Sequence, residues 1–177
     1  MKDTWMDTFT GMRIDVRHIA YKDICLEDIA HSLALQCRYN GHCPMFYSVA
    51  EHSIRAAEIC RGAGYDKQTQ KMALLHDAAE AYFGDIIKPV KNALGIDSNP
   101  GLTWTIMERL GGQDGNGDAV KVADIDLLLI EGRDLMRNDW TAEYGPIRMA
   151  VNYSIWSTMD WQSAERNFIA AALELQR

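Results

Sequence analysis

Two histidines and several carboxylates fall at spacings that could hold a divalent metal. His76 and Asp77 are adjacent in Leu74-Leu75-His76-Asp77-Ala78-Ala79, an apolar run of helical spacing, and His52 lies near the start of an earlier helix. Five histidines and sixteen aspartates in 177 residues supply about half a His-Asp pair by chance, so the dipeptide alone decides nothing. Its surroundings say more. Burying an imidazole beside a carboxylate is costly unless something pairs with both. A divalent metal takes neutral imidazole nitrogen and ionised carboxylate oxygen together. Glu80 is i+4 from His76 and i+3 from Asp77, so it shares their face one turn on. Asp85 follows Gly84 just past the expected helix end, and Asp124 sits among apolar residues in Lys121-Val122-Ala123-Asp124. Each acid alone reads equally well as a solvent-facing or capping group. As a set they give two His, two candidate ligand Asp and two spare acids for proton work. Asp114, Asp118, Asp139 and Asp160 fall in loops or caps and read as structural.

The elements that must position this set are helical. Residues 8–20 alternate around Gly11 (Phe9, Met12, Ile14, Val16), which suggests a small hairpin. From Leu26 the period changes: Ile29, Leu33 and Cys37 share a helical face, and Asn40-Gly41 and Pro44 close that helix. Ser48-Val49-Ala50-Glu51 reads as a capping box opening a second helix to about Gly62. A third helix is expected over 66–83, with Met72, Leu75, Ala79 and Tyr82 inward. A short segment follows over 86–94, interrupted by Pro89, and then a helix over 100–111. The glycine-rich stretch 111–117 is a loop. Residues 118–137 are periodic through Val122, Ile125, Leu128, Leu129 and Leu135, and a last helix begins near Asp160 with Trp161, Phe168, Ala172 and Leu175 inward. The expectation is one all-α domain over 1–177 with a small N-terminal hairpin.

Composition narrows the class. The chain is 47% apolar and 24% charged, an ordinary globular profile. Its formal charge of −7 argues against coating nucleic acid, which needs surplus cations for the phosphates; a small anionic ligand held by a few local cations remains open. No apolar run is long enough for a membrane span, and the N-terminus lacks a basic-then-apolar leader. Cys25, Cys37, Cys43 and Cys60 are unevenly spaced without a CxxC, and read as reduced thiols of a cytoplasmic protein. A Cys37/His42/Cys43 metal knuckle is the alternative, and it lacks a further ligand at suitable spacing.

The residues match a family at this point. The chain resembles the HD-domain phosphohydrolases, closest to the short phage and prophage-type hydrolases and the bacterial 5′-deoxyribonucleotidases. The resemblance is carried by Asp28-Ile29-Ala30-His31-Ser32-Leu33, Cys37-Arg38-Tyr39-Asn40-Gly41-His42 and Phe46-Tyr47-Ser48-Val49-Ala50-Glu51-His52-Ser53. It continues through Leu75-His76-Asp77-Ala78-Ala79-Glu80-Ala81-Tyr82, Gly84-Asp85-Ile86, Pro89-Val90-Lys91, Lys121-Val122-Ala123-Asp124 and Arg133-Asp134-Leu135. The order is that of the family over about residues 9–137. The resemblance implies an HD-domain helical bundle with His52, His76, Asp77 and Asp124 as metal ligands. It implies Glu80 as the residue acting on the attacking water and Asp85 as its assistant at the leaving group. Arg38 matches a phosphate-contacting position, Lys91 and Lys121 are further phosphate candidates, Tyr39 falls where the family has an aromatic near the nucleoside, and His42 belongs to its pattern without an assigned step. Loop 111–117 and the last forty residues match poorly, which leaves the substrate-side wall and any oligomer interface unassigned.

The implied chemistry is metal-dependent hydrolysis of phosphate from a deoxynucleotide, with Mn²⁺, Co²⁺ or Zn²⁺ as resident ion and a second Mg²⁺ or Mn²⁺ accompanying the substrate phosphates. Phage members of the family point to dATP, and the deoxyribonucleotidases to deoxynucleoside monophosphates. A third reading is a non-catalytic nucleotide-binding module, disfavoured because Glu80 and Asp85 are intact beside the full ligand set. A cyclic-dinucleotide subclass would need more histidines than five and a Gly-Tyr-Pro motif, where this chain has Gly64-Tyr65-Asp66. A di-iron bundle would need repeated Glu-x-x-His, which is absent. The segment Tyr39 to Tyr47, with Met45 and Phe46, is suited to an apolar wall against a deoxyribose, although Phe46 reads more readily as core. Five Trp and seven Tyr exceed what one small core needs, and with the resemblance they point to a homo-oligomer, a dimer or hexamer.

Overall fold

The computed structural model describes residues 4–96, 100–149 and 152–176. Its two N-terminal strands, β1 (Trp5–Asp7) and β2 (Arg13–Asp15), pair antiparallel with Met6 opposite Ile14. The hairpin thus begins earlier than expected. Gly11 takes φ +84° within the turn, and Phe9 is exposed there instead of lying on an inward strand face. Buried Asp28 ties this turn to α1 (Leu26–Leu35) by accepting the Thr10 N–H at 2.7 Å and its hydroxyl at 3.0 Å.

The expected first helix stops at Leu35. Gln36 and Cys37 become extended, and Arg38–Gly41 form a tight turn with Tyr39 (φ 57°) and Asn40 (φ 51°) left-handed. Cross-chain bonds favour the break: the Gln36 carbonyl accepts from Val49 N–H, and Arg38 N–H donates to the Tyr47 carbonyl at 2.9 Å. Ser48 then caps α2 (Val49–Gly62), its hydroxyl accepting the Glu51 N–H at 3.1 Å. The reciprocal half of the expected box is missing because the Glu51 carboxylate turns to Arg55 and to the Met159 N–H at 2.8 Å. α2 is the central helix and packs on α1, α3 (Lys67–Leu75), α7 (Gly117–Asp134) and α9 (Trp161–Glu174).

The helix expected over 66–83 is interrupted at the His-Asp pair. After α3 the N–H of Ala78 reaches the Leu75 carbonyl, Glu80 that of Asp77 and Ala81 that of Ala78, all at three-residue spacing. A tightened turn inside a helical run often marks a functional site. The run resumes as α4 (Glu80–Phe83) and ends at Gly84, φ +83°. α5 (Lys88–Leu94) and α6 (Pro100–Leu110) follow. Loop 111–117 is packed rather than loose: Asn116 caps α7 at the Ala119 N–H, and its own N–H donates to Thr69 Oγ1 at 3.0 Å.

α7 buries only part of the stripe that periodicity suggests, Leu129 and Leu135. Val120, Ala123, Leu127 and Ile130 face inward with Asp126 and Glu131, while Val122, Ile125 and Leu128 are half-exposed. The connector beyond α7, which contains α8 (Thr141–Tyr144), is held by carboxylates that accept main-chain N–H groups. Asp126 takes those of Arg148 and Met149, Asp134 that of Ile155, and Glu51 that of Met159. Those bonds replace a regular ladder and satisfy the backbone of an irregular segment. No helix among the described residues is long and apolar enough to cross a membrane.

Candidate metal centre

Three helical segments converge on one point. α2 brings His52, the tightened turn after α3 brings His76 and Asp77, and α7 brings Asp124. His52 Nε2 lies 3.2 Å from Asp124 Oδ1 and 3.7 Å from Asp77 Oδ2. His76 Nε2 lies 3.2 Å from Asp77 Oδ2 and 3.7 Å from Asp124 Oδ1. Donor atoms of His52, His76 and Asp124 all fall within 4.8 Å of one another. Two ligands about 2.1 Å from one ion at a tetrahedral angle are about 3.4 Å apart, so the spacing fits a single divalent ion.

The ring nitrogens say the same. His52 Nδ1 is 2.6 Å from Glu131 Oε1, and His76 Nδ1 is 2.7 Å from the Ala73 carbonyl. A carbonyl and an ionised carboxylate only accept, so each Nδ1 carries a proton, and in the neutral ring each Nε2 keeps its lone pair for a metal. Both Nε2 atoms are buried without a hydrogen-bond partner. Lone pairs aimed at carboxylate oxygens repel unless a cation sits between them. The local field asks for one: burial alone would lower the His76 pKa, yet Asp77 and Asp124 raise it well above its usual value.

Behind His52 lies Glu131, fully buried. Its Oε1 accepts from His52 Nδ1 and from the Tyr47 hydroxyl at 2.7 Å, and its Oε2 accepts from the Tyr39 hydroxyl. Arg38 stands between two acids, with Nη2 3.4 Å from Glu131 and Nη1 3.6 Å from Asp77. Burial pushes the Glu131 carboxyl up; Arg38 and His52 outweigh it and hold the pKa at about 2.

A family model described as the HD domain matches residues 49–127, a range that contains all four expected ligands. The uncharacterized protein YfdR of Escherichia coli is 34% identical over 138 residues, 77% of this chain and 75% of that protein. The chain belongs to the HD domain family. An uncharacterized protein of Rhodobacter capsulatus is 40% identical over 118 residues, 63% of this chain. The chain spans 60% of that relative's length. HD domains form a superfamily of metal-dependent hydrolases, and the His52/His76/Asp124 cluster fits that description.

Around the ligands of this HD domain, Glu80 and Lys91 form an ion pair at 3.3 Å. Burial, then the charges of Asp77 and Asp85, raise the Glu80 pKa to about 8, while Lys91 and Arg38 restrain it. Burial also raises Asp85, whose charged neighbours include Arg38 and Asp77. Tyr39 is braced, its hydroxyl spent on Glu131 and its ring 6.0 Å from that of Trp140. His42 and Lys121 are exposed, and neither side chain has a hydrogen bond or ion pair among the described residues; Lys121 precedes Asp124 by one turn. Cys37, His42 and Cys43 form no metal group among the described residues, and all four cysteines are free thiols. Met45 and Phe46 are partly exposed, so Phe46 is not core; Tyr47 beside them is.

Glu131 is the residue that sequence reading missed. It follows Asp124 by seven positions, two helical turns, and is the acid in Leu127-Leu128-Leu129-Ile130-Glu131. An acid in an apolar run on the ligand's own face was the available clue.

Proposed function

We propose that this HD domain hydrolyses phosphate from deoxynucleotides, with deoxyadenine nucleotides, dATP foremost, as substrate. The observation that carries the reading is the pair of buried, unpartnered Nε2 atoms facing Asp77 and Asp124, with Arg38, Lys91 and Glu80 beside them. His52, His76, Asp77 and Asp124 would hold the ion. A bound divalent ion supplies positive charge to a phosphate oxygen and acidifies water. Glu80, poised near neutral pH and paired with Lys91, accepts the proton that water loses. Arg38, kept charged by Glu131 and Asp77, offsets charge developing on the phosphate oxygens. Asp85 serves the leaving group.

The deoxyribose preference is supported by the partly exposed apolar pair Met45 and Phe46 ahead of α2, and the adenine preference by the resemblance to phage-type members. Turnover of dATP, dAMP, dGTP, dTTP and ATP with Mn²⁺, Co²⁺ or Zn²⁺, products resolved by chromatography, tests both. Fastest turnover of dATP is expected. Preference for dAMP would make the protein a 5′-deoxyribonucleotidase; equal turnover of ATP and dATP rejects the deoxy preference, and faster dTTP rejects the purine. Self-assembly belongs to the same proposal and is supported by exposed Trp104 and Trp156. A monomer by light scattering at micromolar concentration would reject it.

A further inference from the structure

Glu80 opens α4 and Asp85 follows its end, and at four residues the helix is too short to hold its own geometry. Beyond Asp85, α5 buries no residue, so packing on that side fixes little. The segment is tied to α1 instead. Gln36, the first residue past α1, aims its side-chain amide at both ends of α4. Its Nε2 donates to the Glu80 carbonyl at 3.0 Å and to Ser32 Oγ at 3.0 Å, and its Oε1 accepts the Asp85 N–H at 2.8 Å. Ser32 completes the tie by donating to the Ala81 carbonyl at 2.8 Å. Both donors of the amide are used, and its two partners in the 80–85 segment are main chain. The contact therefore sets where the backbone of each acid lies. The main chain of Gln36 is fixed as well, its carbonyl accepting the Val49 N–H at 3.1 Å at the start of the helix that carries His52.

We propose that Gln36 is a positioning residue for the phosphate hydrolysis proposed above, and the inference rests on that reading. One amide registers two acids, five residues apart, to the helix bearing a metal ligand. Ala81 and Tyr82 are buried and seat α4 against α1, and the Gln36 amide adds a main-chain bond at each end of the 80–85 segment.

Gln36→Met keeps length and approximate volume while removing all three hydrogen bonds. In the full-length, metal-loaded protein it should lower kcat roughly ten- to a hundredfold with KM within about threefold and metal content unchanged, since small misplacement of reacting groups costs rate more than binding. Hydrogen exchange gives a readout independent of turnover: the Asp85 amide should exchange faster in the variant, and amides of α2 and α7 should not. If Gln36→Met does not fold, Gln36→Glu keeps the acceptor for Asp85 and removes the donor to Glu80. It should lose kcat while the Asp85 amide stays protected. Wild-type kcat with metal bound overturns the positioning role, as does a kcat that falls only in step with metal content. Unchanged exchange at Asp85 in Gln36→Met overturns the tie itself. A wild-type protein that releases phosphate from no nucleotide defeats the proposed function instead, and the exchange comparison still decides whether Gln36 holds the segment.

Discussion

Glu131 Oε1 lies 2.6 Å behind His52 Nδ1, so an acid on α7 sets the metal-facing nitrogen of a ring on α2. Carboxylates in this position fix tautomer and orientation and raise ligand basicity. Glu131→Gln should weaken divalent-metal binding roughly ten- to a hundredfold while the helical circular dichroism is retained. Calorimetric titration of the chelator-treated proteins with Mn²⁺ or Zn²⁺ checks this. Equal affinities would remove Glu131 from the centre.

The same acid predicts a pH effect on the metal-free fold. Its pKa is about 2 when folded, against roughly 4.3 for an unperturbed Glu. A depressed carboxyl stabilises the fold above the unfolded value and loses that contribution as pH falls toward the folded one. Urea midpoints of chelated wild type and Glu131→Gln should therefore differ more at pH 6 than at pH 3.5. The gap should shrink by on the order of 1 kcal/mol. A gap that widens on acidification contradicts the assignment.

The roles proposed for Asp77, as ligand, and Glu80, as base, are separable. Asp77→Ala should lose metal and turnover together, because its Oδ2 lies 3.2 Å from His76 Nε2. Glu80→Ala should keep the metal and lose about a hundredfold or more in kcat, the range for one positioned general base. Elemental analysis beside steady-state kinetics distinguishes them. Loss of metal in Glu80→Ala would make Glu80 a ligand.

Lys91 tunes the Glu80 carboxyl. Its ammonium, 3.3 Å from Glu80, lowers a carboxyl that burial, Asp77 and Asp85 raise. Removing it raises Glu80 further, so less of the base is ionised at a given pH. The acidic limb of the kcat profile should move to higher pH in Lys91→Met. A limb that stays or moves to lower pH contradicts the pairing.

Gly115 carries the packing of loop 111–117. A Cβ there would lie 2.8 Å from the Gln68 carbonyl and 2.8 Å from Met72 Cβ, both on α3. Gly115→Ala should destabilise by about 1–3 kcal/mol, the usual cost of overpacking. Denaturant unfolding at fixed pH measures it, and an unchanged midpoint would mean that the loop yields.

Sequence alone determined the helix period of α2, α6 and α9 and the caps at Ser48 and Asp160, and it named the residues of the candidate metal cluster. Caps and amphipathic stripes are local, written within one or two turns, and His52, His76, Asp77 and Asp124 belong to motifs with fixed neighbours. Tertiary structure alone decided what stands around them. The break at His76–Ala79 lies where His52 of α2 and Asp124 of α7 approach, neighbours that the local pattern does not contain. The inward stripe of α7 follows from burying Asp126 and Glu131, which hydropathy assigns to the outside; only the arrival of the Arg148 and Met149 amides, and of His52, Tyr39 and Tyr47, makes those acids affordable inside. Gln36 was equally silent in the sequence, because its amide's two partners in the 80–85 segment are main-chain groups 44 and 49 residues away, and main-chain groups carry no residue type to read.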